Sequence, residues 1–250
     1  MSRNNNRKFI TSPLAGTGER RDVPVSFVLL AENHGYRMKS YGPISLVRIG
    51  EKTLIERQME AIKASFVNYE VIICSGFETS KIYNFVKKTF GNQERIRIVE
   101  NQVYFHSNCC ESIRLCLNNV MNTNIVVCGG GILLTPEYLR SIDLKTPSML
   151  FQDQQQGEGF EIGVIDNHSR LEGLSLAVCD KRWTELTYLT GESLVQSFYN
   201  TVSNPEYKNR FLFEAINSWS GRRKVHMTKN LGSPIIKINT IKTLKKVNES

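Results

Sequence analysis

From Val23 onward, continuous apolar runs alternate with amphipathic stretches. The run 25–30 reads as a buried strand, and 53–66 places Leu54, Ile55, Met59, Ile62 and Phe66 near helical spacing. A second apolar strand over 69–74 stops at Gly76, and 79–90 reads as the next helix. A third strand over 96–99, a third helix over 110–121 and a fourth strand over 124–128 follow, the last running into Gly129-Gly130-Gly131. Unbroken apolar strands separated by helices predict parallel pairing covered on both faces. Right-handed crossovers then give a doubly wound, mostly parallel α/β sheet whose ligand crevice lies at the carboxyl ends of its strands.

The second half is smaller and richer in strands. Short runs at 148–151, 160–165 and 174–178 are broken by turns such as Asp166-Asn167-His168-Ser169. Helices are expected over 194–202 and 211–219, a last strand over 235–239, and a closing helix from Thr240. Residues 1–22 are polar, rich in Asn and Arg, and carry Pro13, Gly16 and Gly18, which predicts a flexible arm ahead of a domain spanning 23–250.

Composition narrows the class. With 40% apolar residues and no apolar run near the length of a bilayer span, the chain is expected to be soluble, with no membrane partner. Its first residues lack the apolar segment of a signal peptide, so a cytoplasmic location, or a particle assembled there, is expected. The six cysteines (Cys74, Cys109, Cys110, Cys116, Cys128 and Cys179) contain no Cys-x-x-Cys pair and read as free, mostly buried thiols rather than disulfides or metal ligands. The formal charge of +8 is uneven: residues 222–250 hold eight Lys or Arg against one acid, Glu249. That basic end could meet nucleic acid, an acidic protein or phosphates; the plainer reading is a solvated face, because no aromatic residue is interleaved for base stacking.

The stretch Phe27-Val-Leu-Leu-Ala-Glu-Asn-His-Gly-Tyr-Arg-Met38, then Pro43, then Ile49-Gly-Glu-Lys-Thr-Leu-Ile-Glu56, resembles the opening of the sugar-phosphate and choline-phosphate nucleotidyltransferases. Those proteins carry Leu-Ala-Ala-Gly-x-Gly-x-Arg-Met, a Pro-Lys pair and Gly-Lys-Pro-Leu-Ile-Glu. Three further segments resemble the same family: Asn101 to Leu115, with Asn108 and Ser112 its clearest matches; Val126 to Leu139; and Ile236 to Leu244. The resemblance implies a nucleotide-diphospho-sugar transferase-like (GT-A-like) fold. It places vestigial nucleotide-binding positions at Leu30, Ala31, Gly35, Arg37, Asn108 and Ser112.

Family members transfer a nucleotidyl group from an NTP to a phosphate and release pyrophosphate. Bringing like-charged phosphates together calls for positive charge and usually Mg²⁺ held by carboxylates. At the family's Lys position this chain has Ile44, and at its two metal-holding Asp positions it has Gly131 and Asn239; Asn33 replaces the first loop Gly. Each loss removes several kcal/mol of transition-state stabilisation on the scale at which about 1.4 kcal/mol is tenfold in rate. The apolar frame is kept while the chemical positions are not, so no catalytic residue, metal ligand or cofactor is assigned.

Other candidates for chemistry are weaker. Glu32 is expected to be a loop carboxylate turned to solvent, since it would repel a triphosphate unless it held metal. Asp153 begins a polar turn, and His34 has no Ser or Cys arranged beside it as a general base would need. Gly129-Gly130-Gly131 lacks the Lys-Ser/Thr of a phosphate loop and reads as a tight strand-end turn.

Three functions remain open. The first is a non-catalytic nucleotidyltransferase-like protein with a structural, assembly or regulatory role and a protein partner, as in a component of a larger particle such as a virion. The second is a divergent nucleotidyltransferase using Mg²⁺ and an NTP such as CTP on a phosphorylated small molecule. The third is nucleic-acid binding through the basic C-terminal end.

Overall fold

The computed structural model describes residues 19–34, 38–91, 95–153, 162–176, 181–221, 223–230 and 234–249. The expected arm lies mostly outside them, as do Gly35, Arg37 and Cys179. Strand β1 (Val25–Leu30) leads to a short hairpin, β2 (Arg48–Ile49) and β3 (Lys52–Thr53), and then to α1 (Leu54–Ser65). Thr53 and Glu56 form a capping box at the start of α1: the Glu56 carboxylate accepts from the Thr53 amide at 2.7 Å and the Glu56 amide donates to Thr53 Oγ1 at 3.4 Å. Next come β4 (Tyr69–Ser75), α2 (Thr79–Phe90), β5 (Ile96–Glu100), α3 (Cys109–Leu117) and β6 (Asn124–Gly129). The second half holds β7 (Ile132–Leu133), α4 (Pro136–Arg140), β8 (Ser148–Asp153), β9 (Gly163–Asn167), β10 (Arg170–Ser175) and β11 (Lys181–Thr190). It closes with α5 (Glu192–Ser203), α6 (Leu212–Ser220), β12 (His226–Lys229), β13 (Ile236–Lys237) and α7 (Ile241–Glu249).

Nine strands form one sheet in the order β5-β4-β1-β6-β11-β8-β12-β10-β9. The half from the first 130 residues is parallel, with β1 between β4 and β6. The other half is antiparallel except for β12 against β8. The apolar strands carry side chains to both faces, and each face is covered. Phe27 and Leu29 of β1 pack with Ile55, Met59 and Ile62 of α1, Ile82 of α2 and Tyr138 of α4. Val28 and Ile72 pack on the opposite side with Ile113 of α3, Phe198 of α5 and Trp219 of α6. Chain order reverses around β1, so a crevice opens beyond its carboxyl end, between the turns after β1 and β6.

A third apolar cluster joins Met38, Ile44, Val47, Ile49 and Leu54 to Ile238 and Leu244, docking α7 and the β2–β3 hairpin beside that crevice. Arg21, within the expected arm, is held: its backbone bridges to Phe66 and its guanidinium donates to the carbonyl of Ile142 at 2.9 Å. In the large sheet β11 and β12 escaped the pattern reading, as did the two-residue strands β2, β3 and β7 outside it. β11 mixes Trp183, Thr184, Glu185, Leu186 and Thr187 without strict alternation because a bulge interrupts it, and β12 is only four residues long.

Candidate ligand cleft

The crevice is a cleft of about 490 Å³, within the range of small-molecule sites. Its floor is made by strand ends. Leu30 closes β1 and Gly129 closes β6, and both line it with Gly130 and Gly131. The glycines are there because backbone fills the space where side chains would be. A Cβ on Gly130 would collide with the carbonyl of Leu30, and one on Gly131 would sit 2.7 Å from the carbonyl oxygen of Ile238. Gln58 of α1 steadies the turn by donating from its amide to the Ile132 carbonyl at 2.9 Å. The triple glycine is therefore a strand-end turn under close backbone approach.

Ile44, Gly131 and Asn239 line this one cleft. Far apart in sequence, the three positions converge in space and supply neither a carboxylate nor a cation. Ile44 is almost fully buried and belongs to the cluster under α7, Gly131 has no side chain, and Asn239 is exposed and neutral. Leu30 and Asn108 also face the cleft. Asn108 has a second task as N-cap of α3, its side-chain oxygen accepting from the Cys109 amide at 2.8 Å.

The other implied positions divide. Ala31 and Ser112 lie in the core behind the wall rather than on it: Ala31 donates its amide to the Cys74 carbonyl at 2.9 Å, and Ser112 Oγ accepts from Asn101 at 3.0 Å. Gly35 and Arg37 fall outside the described residues. The His34 ring lies tilted against Phe77, centroids 4.8 Å apart, and Asp153 pairs with Lys229 away from the cleft.

One expectation is overturned. Glu32 does not turn to solvent; it is 4% exposed and lines the cleft, and its Oε2 has no hydrogen-bond partner. The turn after β1 is tied down at this residue, whose backbone carbonyl accepts from the Phe77 amide at 2.9 Å. Burial pushes its carboxyl up to about 7, and the charge of Glu185 adds to the shift, against hydrogen bonds from its own backbone and from Ser112.

Sequence reasoning missed Glu185 and Lys237. Glu185 sits at the bulge in β11 with φ of 59°, the left-handed region that glycine favours, and its carboxylate pairs with Lys237 of β13. Trp183, Phe211 and Phe213 give the cleft an aromatic side. The available signal was an isolated Glu within an apolar and β-branched run, which alone does not reveal a bulge.

These donors do not suit the Mg²⁺ held by carboxylates that the family resemblance implies. The positions that the resemblance assigns to Asp offer none, the Glu32 carboxyl is pushed up to about 7 and so is only partly ionised at neutrality, and Glu185 is tied to an ammonium. Among the described residues no group of three or more His, Cys, Asp or Glu is placed to hold a metal ion. No described helix is long and apolar enough to cross a membrane, and the five described cysteines are free.

No protein-family model matches the chain, and no curated protein matches it in sequence. Solved structures do match in shape. The CTP:phosphocholine cytidylyltransferase of Streptococcus pneumoniae superposes with a TM-score of 0.74 at 17% identity, over 91% of this chain and 99% of that one. The inositol-1-phosphate CTP transferase of T. maritima gives 0.71 at 15% identity, over 90% and 96%. A putative glucose-1-phosphate thymidylyltransferase from Bacillus anthracis gives 0.72 at 14% identity, over 90% and 94%. The chain thus has the nucleotidyltransferase-like α/β fold over nearly its whole described length.

Proposed function

We propose that this chain is a nucleotidyltransferase-fold protein that does not transfer nucleotidyl groups and acts by binding, as a structural, assembly or regulatory subunit. The observation that carries the reading is the convergence of Ile44, Gly131 and Asn239 on one cleft without charge. A nucleotidyl transfer site must neutralise a triphosphate and an acceptor phosphate. Here Lys237 is the one Lys or Arg among the described residues lining the cleft, and Glu185 already neutralises it. Glu32 adds a carboxyl that ionises around neutrality, and its anion would repel phosphates further.

The test is pyrophosphate release from a panel of NTPs with phosphocholine, inositol phosphate and sugar phosphates, in Mg²⁺ or Mn²⁺, alongside the mass of the native complex. The expected outcome is no turnover and association with a protein partner. Turnover that follows enzyme concentration would overturn the reading in favour of a divergent transferase.

A further inference from the structure

We propose that Lys237 is an anion-binding group held occupied by the carboxylate of Glu185, so that Glu185 sets the ligand class of the cleft by excluding phosphates and admitting uncharged ligands. This rests on the reading above and adds the residue responsible.

Three observations carry it. Glu185 holds a left-handed backbone conformation inside a strand, which a residue with a Cβ adopts at a cost. The β11 register shifts between Trp183 and Thr187, so a bulge aims this side chain into the cleft. Its two oxygens are both placed: Oε1 takes the Lys237 ammonium, and Oε2 lies against Gly129, where any Cβ would collide with it.

The pair does not owe its existence to stability. Its side chains are 36% and 27% exposed, and ion pairs this open to water contribute little. Strained residues of this kind persist at functional sites. A carboxylate tethered beside an ammonium also acts at a high effective concentration, so a free anion must displace it rather than simply arrive. Lys237 and Asn239, two residues apart, both line the cleft, as does Asn108. Removing the carboxylate would leave the Lys237 ammonium and the amides of Asn33, Asn108 and Asn239 on the same cleft, a set suited to phosphate oxygens, with the partly ionised Glu32 carboxyl the one remaining acidic group among the described lining residues.

The experiment titrates the full-length protein with inorganic pyrophosphate by calorimetry, comparing wild type, Glu185→Gln and the double variant Glu185→Gln with Lys237→Ala. The Gln variant should bind pyrophosphate roughly tenfold or more tightly than wild type, and the double variant should lose that gain. Equal affinity of wild type and the Gln variant, or a gain that survives removal of Lys237, overturns the proposal. If the Gln variant does not fold, Glu185→Gly, at ease with a positive φ, takes its place under the same two criteria. Wild-type turnover of an NTP would instead strike the functional reading, so the two failures are distinguishable.

Discussion

The backbone amide of Ile238 donates to the carbonyl of Gly131 at 2.7 Å, and a Cβ at position 131 would stand 2.7 Å from the Ile238 carbonyl oxygen. The pairing of β7 with β13 brings these backbones together. It joins the last described strand to the glycine turn and leaves no room for the Asp that the family resemblance assigns there.

Gly131→Asp should therefore lower the unfolding free energy by about 1–3 kcal/mol, because backbone must shift to admit the side chain. Urea denaturation measures this. Metal-dependent pyrophosphate release should not appear, and a variant that gained it without losing stability would contradict the close approach.

Ile44→Lys should cost about 1–3 kcal/mol, since Ile44 packs with Met38, Val47 and Ile238 while one edge reaches the cleft. Ile44→Val should cost no more than about 1.5 kcal/mol. Thermal denaturation of the two variants in parallel checks the ranking, and a Lys variant as stable as the Val variant would show that position 44 is not part of the core.

Glu32→Gln should change how stability depends on pH. The folded carboxyl titrates at about 7 against an ordinary 4.5, so between those values the folded state holds more protons than the unfolded one. Wild-type stability should thus fall as pH rises from about 4.5 to 7 and stay lower above it, by up to about 3 kcal/mol from this group. The Gln variant should lack that component and be the more stable protein at pH 8. Denaturation midpoints across pH 4 to 8 that run parallel for both proteins would refute the buried carboxyl with its unpartnered Oε2.

Gln58→Ala should destabilise by about 1–3 kcal/mol, because it strands the Ile132 carbonyl that its amide serves. Hydrogen exchange should rise at the turn from Gly129 to Ile132, with α1 still protected. Unchanged exchange there would mean that the glycine turn holds itself.

The elements of the first half were legible because their signal is local. A strand buried on both faces is a continuous apolar run, as in β1 and β4, and a helix on a sheet shows its stripe, as in α1. β11 was not legible: its bulge breaks the period of two, and its partners β6 and β8 are remote in sequence. Of the implied site, Leu30, Asn108, Ile44, Gly131 and Asn239 share the cleft, whereas Ala31 and Ser112 are core.

By itself the sequence determined the layered α/β order of the first half and which residues stand at the positions that the resemblance singles out, since periodicity and residue type are written along the chain. Tertiary structure alone decided which charges meet. Glu32 turned inward, Glu185 was swung by a bulge onto Lys237, and Gly131 was pressed against Ile238. Electrostatic energy and steric exclusion depend on separation in space and on the water removed, and neither quantity is carried by neighbours in sequence.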